Sequence, residues 1–119
     1  MSNQIINFKI NNKALTIVTH DGIKNIQFTF EIKQVEKFDN YLVVRVAVPK
    51  GTVFNENIFG ISSEGEVVWQ IEHLRYVYKD SPFVGMESVG DNIKLFNWDG
   101  TDLLVNPETG KIIQQGYSK

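Results

Sequence analysis

The stretch from Asn57 to Gln115 restricts the fold more than any other part of the chain, because two of its segments read as strand, tight turn, strand. One runs from Asn57 to Ile71 through Glu64-Gly65, and the other from Asp102 to Ile113 through Glu108-Thr109-Gly110. In each, a short apolar run meets a polar turn ending in Gly, and a second apolar run follows at once. That is the sequence form of a β-hairpin with a short loop.

The remainder of the chain has the same character. Ile6, Phe8 and Ile10 alternate with polar residues, and Leu15 and Ile17 share one face of a second strand. Ile26, Phe28, Phe30 and Ile32 form the clearest period-2 run and predict a single strand with its inward face in the core. Parity slips after Ile32, which predicts a β-bulge near Lys33-Gln34. From Tyr41 to Val48 both faces are largely apolar, as expected of a strand buried on two sides. Pro49-Lys50-Gly51 breaks the pattern and reads as the junction between two meanders, whereas Glu72 to Pro82 reads as an irregular segment. No window carries a helical stripe. Turn signals recur at roughly ten-residue intervals. The chain is therefore expected to be one all-β domain spanning 1–119, with an N-terminal meander over 1–50 and a C-terminal one over 51–119. The two antiparallel meanders would pack as a sandwich or partly open barrel.

Composition narrows the function classes. Apolar residues make up 42% of the chain, with eight Phe, four Tyr and two Trp, enough for an ordinary core. Without Cys there is no disulfide, thiolate metal site or cysteine nucleophile. Apolar runs reach only about four residues, far short of a bilayer span, and the N-terminus lacks the basic and apolar regions of a secretory signal. The expectation is a cytoplasmic protein without a membrane partner. A net charge of −2 argues against nucleic acid, which calls for clustered Lys and Arg. Residues 1–50 hold seven Lys/Arg against four Asp/Glu, and residues 51–119 hold five against ten. An acidic second half suits a basic partner, unless these charges only solvate strand faces.

The segment from Leu103 to Ile113, with its Thr109-Gly110-Lys111 turn, resembles the inner hairpin of a quinoprotein-type (PQQ-like) β-propeller blade. Asn106 stands where that pattern usually has Asp, and Gln114-Gln115 where it often has Trp; the earlier hairpin keeps its Trp as Trp69 but lacks Thr-Gly-Lys. The two copies lie about 45 residues apart, the length of one blade. A closed propeller needs at least about four blades, more than this chain can supply alone. The resemblance thus implies hairpin geometry and no quinone cofactor. Trp98-Asp99-Gly100 followed by Thr109-Gly110-Lys111 also resembles the ending of small uncharacterised bacterial all-β proteins. Some short proteins of that kind accompany polymorphic toxins as candidate immunity partners.

Candidate chemistry is sparse. His20 and His73 are not spaced as metal ligands, and the oxygen side chains around Gly100 read as turn caps. No catalytic residue, metal site or cofactor is assigned. The irregular segment is the best binding candidate, through Glu72, His73, Arg75, Tyr76, Tyr78, Lys79 and Phe83, because Tyr and Arg are favoured interface anchors and long loops on rigid scaffolds carry function. Alternatively, Tyr76, Tyr78 and Phe83 fold back over a sheet edge. The expected function is a non-enzymatic protein-binding module, in its most specific form an immunity-type partner of a bacterial toxin. A structural or oligomerising β module is the alternative, and a small hydrolase comes third.

Overall fold

The computed structural model describes residues 4–76 and 78–117, and these form three antiparallel sheets in chain order. The first sheet contains β1 (Ile5–Asn11), β2 (Ala14–Thr19) and β3 (Gly22–Gln27). The second contains β4 (Ile32–Lys37), β5 (Tyr41–Val46), β6 (Ile58–Ser62) and β7 (Val67–Gln70). The third contains β8 (Phe83–Val89), β9 (Asn92–Asn97), β10 (Thr101–Val105) and β11 (Ile112–Tyr117). Every strand pairs with its sequence neighbour within its sheet, so each sheet is a plain meander. The all-β, antiparallel, sandwich-like expectation holds, and the described residues close no barrel. No helix among them is long and apolar enough to cross a membrane.

The second sheet lies between the other two, because its two faces feed two different cores. Leu42, Val44, Val46 and Ile61 pack with Ile5, Leu15 and Ile17 of the first sheet. Val43, Ile58 and Trp69 pack with Met86, Ile93, Leu95, Leu103 and Val105 of the third. This is the two-sided burial that the apolar run through β5 demands. The slip expected near Lys33-Gln34 also occurs, as a register shift between Ile32 and Gln34.

The meander boundaries differ from those read in the sequence. The predicted strand from Ile26 to Ile32 is split: β3 ends at Gln27, and the chain crosses to the second sheet before β4 begins at Ile32. Its alternation survives because Phe28 and Ile32 both face the core shared by those two sheets. The Phe28 and Ile32 N–H groups donate to the carbonyls of Lys13 and Asn12, at 2.8 Å each, at the turn joining β1 to β2. Pro49-Lys50-Gly51 is not a junction between meanders either. It lies in the long connection from β5 to β6 within the second sheet, and the true boundaries are 28–31 and 71–82.

Candidate functional site

The strap formed by residues 71–82 carries the chain from β7 to β8 and contains most of the predicted binding residues. Its C-terminal half is held by buried amide side chains, which take the place that ladder bonds have in a strand. The Asn55 amide donates to the Lys79 carbonyl and its Oδ1 accepts the Ser81 N–H, both at 2.8 Å. Asn97 donates to the Ser81 carbonyl at 2.8 Å, and Ser81 Oγ donates to Asn97 Oδ1. Asn57 accepts the Phe83 N–H and donates to the Phe83 carbonyl, 2.9 Å each, while its other N–H reaches the Val46 carbonyl at 3.0 Å. Buried polar groups require such pairing, and a carboxamide has two donors and an acceptor with which to satisfy backbone on both sides.

The predicted residues divide by environment. Glu72, His73, Arg75, Tyr78 and Lys79 are exposed, Tyr78 at 51%. His73 Nδ1 lies 3.1 Å from Glu56 Oε2, which places the imidazole at a polar rim. Phe83, by contrast, is 1% exposed and belongs to the core, so it cannot contact a partner. Tyr76 is half-buried and meets Phe83 edge-to-face, with centroids 6.1 Å apart. Its hydroxyl is buried without a hydrogen-bond partner among the described residues. Burial, followed by the nearby carboxylates of Glu56, Asp99 and Glu72, pushes this phenol well above its ordinary range. Of the two readings of the segment, folding back describes Tyr76 and Phe83, and outward presentation describes Tyr78 with the charged residues.

Two turn readings find their places. His20 is an exposed turn residue. At the turn between β9 and β10, the Asp99 N–H donates to Asn97 Oδ1 and the Thr101 N–H to Asp99 Oδ1, the expected side-chain turn caps. Among the described residues no cluster of His, Asp and Glu has the arrangement of a metal site.

The two hairpins that dominate the sequence meet a different fate, through a contact the sequence does not announce. Trp69, on β7, lies across Gly60 of β6 and reaches the turn between β10 and β11, where its Nε1–H donates to the Pro107 carbonyl at 2.8 Å. A Cβ at Gly60 would overlap the indole, and one at Gly110 would stand 2.6 Å from Cδ2. Gly110 also has φ +76°, a left-handed conformation that suits glycine. The Trp kept by one hairpin thus docks on the Gly turn kept by the other. Val67 does not share its face, because the ladder slips between Gly60 and Ile61 and pairs Val67 with Ile61.

A second feature lies between the first and second sheets. Phe28, Phe30, Phe54 and Phe59, with Ile26 and Val67, border a cavity of about 340 Å³. The rings meet at tilted angles, Phe28 with Phe59 at 5.4 Å and Phe30 with Phe54 at 5.6 Å between centroids.

A family model described as a domain of unknown function, DUF7957, matches residues 5–117. The chain belongs to that family. Among solved structures this DUF7957 domain is similar to the computationally designed Ika8 protein, with a TM-score of 0.59 and 13% identity over 97% of the present chain. The match covers 37% of the designed chain, so the domain spans well under half of that protein's length, and the likeness concerns the fold. No curated protein matches the DUF7957 chain.

Proposed function

We propose that this DUF7957 domain is a non-enzymatic protein-binding module that engages its partner through the outer side of the strap. The observation that carries the reading is the division within 71–82. Its C-terminal end is fixed, at Lys79 and Ser81 by Asn55 and Asn97 and just beyond it at Phe83 by Asn57, while the side chains of His73, Arg75, Tyr78 and Lys79 stand in solvent. Anchoring that end reduces the conformational freedom that the adjoining Tyr78 and Lys79 lose on binding, which favours affinity. Tyr and Arg are the side chains most often responsible for interface energy.

The more specific form of the proposal rests on resemblance. The small bacterial proteins that end, as this chain does, in a Trp98-Asp99-Gly100 turn followed by a Thr109-Gly110-Lys111 hairpin suggest an immunity-type role in the cytoplasm, directed at a toxin domain. The Glu and Asp excess after residue 50 favours a basic partner. Co-expression with a toxin domain, should one be encoded beside its gene, tests the proposal, and the absence of such a neighbour would count against the immunity role. Wild-type protein should restore growth, and the double variant Arg75→Ala, Tyr78→Ala should lose protection while keeping its melting temperature. Equal protection by both proteins would remove the strap from the contact, and no protection by the wild type would remove the immunity role.

A further inference from the structure

The stack of sheets ends in two faces that no described part of the chain covers. On the third sheet, Glu87, Lys94, Leu104 and Gln114 stand opposite one another across successive ladders, and opposite residues share a face. Leu95 and Leu103 alternate with them and belong to the core, so this row points outward. Together with Val89 and Asp102 it borders a hollow of about 380 Å³. On the first sheet, Leu15 and Ile17 face inward, which turns Lys9, Thr16, Val18 and Ile23 outward. Ile23 is 63% exposed and projects from that face.

The two faces are complementary. One offers a projecting Ile23 and a cation, Lys9. The other offers a mixed hollow in which Leu104 and Val89 are the apolar members, bordered by the carboxylates of Glu87 and Asp102 and by Lys94. The Lys94 ammonium lies over the Phe96 ring at 5.7 Å, and carboxylates outnumber cations at the hollow. A fold of this kind also occurs as part of a longer chain, since the similar designed protein is covered to only 37%. We propose that the outer face of the third sheet receives the outer face of the first sheet of a second copy. Ile23 then sits against Leu104 and Val89, and Lys9 lies beside Glu87 and Asp102. The contact joins unlike faces, so it is heterologous, and each copy has one face of each kind. It does not involve the strap and stands whether or not the strap binds a partner.

Light scattering of the full chain over a wide concentration range tests the proposal. Assemblies of two or more copies are expected at high concentration, weakening as salt screens Lys9 from the carboxylates; a monomer at every concentration overturns the idea. Two variants then identify the faces. Leu104→Arg blocks the third-sheet face, and Ile23→Lys, at an exposed site, blocks the first-sheet face. Each should be folded by circular dichroism and monomeric alone. Mixed in equal amounts they should yield a pair of one copy each, because the intact first-sheet face of Leu104→Arg meets the intact third-sheet face of Ile23→Lys. Association of either variant alone at wild-type strength, or a mixture that stays monomeric, overturns the assignment.

Discussion

The two inter-sheet cores are built from similar aliphatic residues but finished differently. Between the second and third sheets the core is capped by one large key: Trp69 fits between Gly60 and the turn at Gly110, and its N–H is satisfied by Pro107. Between the first and second sheets four phenylalanines serve the same end, and their rings leave a cavity of about 340 Å³. The difference shows what a single directional contact adds. An indole has a polar edge that must find a partner, so it fixes the position of the turn it meets. Phenyl rings pack by shape alone and tolerate a gap.

The largest effect is expected from removing the key. Trp69→Ala should cost about 3–5 kcal/mol in urea or thermal unfolding, the range for deleting a buried aromatic side chain. Gly60→Ala should cost about 1–3 kcal/mol in the wild type, and much less once Trp69 is already Ala, because the atoms nearest an added Cβ all belong to the indole. Additive losses would mean that Gly60 matters for another reason.

Asn57→Leu comes next, at about 2–3 kcal/mol, since it leaves the Phe83 N–H and the carbonyls of Val46 and Phe83 without this partner. On the phenylalanine side, Phe54→Ala should cost only about 1 kcal/mol, because the ring is half-exposed and borders space already empty. A loss as large as that of Trp69 would show that the open core is as tightly specified as the closed one.

The smallest effect at neutral pH is expected from Tyr76→Phe, which removes a buried hydroxyl that has no partner among the described residues and should leave the melting temperature unchanged or slightly higher. Its signature lies in alkali. The folded phenol titrates above the unfolded one, so its contribution is complete below the unfolded pKa of about 10 and is lost as pH rises through the folded value. Stability should therefore fall more steeply above about pH 10 in the wild type than in Tyr76→Phe, as melting curves across that range would reveal.

Much of this architecture is legible in residue order. Alternation and turn residues mark the strands, the parity slip after Ile32 marks the bulge, and the double apolar pattern of β5 marks the middle sheet. What the pattern hides are events that leave parity intact. Phe28 and Ile32 keep their inward alternation while the chain passes between sheets, so the end of β3 is invisible locally. Pro49-Lys50-Gly51 makes a turn, but its chemistry does not reveal whether a sheet ends there. The strap is legible as an irregular segment, and Tyr78 with the charged residues as exposed candidates, while nothing local shows that Tyr76 turns inward onto Phe83. Asn55, Asn57 and Asn97 leave no periodic trace, because a carboxamide bonded to backbone 11 to 26 residues away has no periodicity. The alternate spacing of Asn55 and Asn57 beside a glycine-turn hairpin is the one sign that could have pointed to them.

Asn57 has a further consequence for motion. It lies just before β6 of the second sheet, yet it makes two hydrogen bonds with Phe83 at the start of the third. Ladder bonds fix the register of strands within a sheet, and nothing in them prevents one sheet from sliding over another along an apolar interface. Here a side chain acts as a detent between layers: a shift of one residue would break both bonds at once and strand buried polar groups. The second and third sheets should for that reason open together in hydrogen exchange, with the Phe83 amide protected as if it belonged to both.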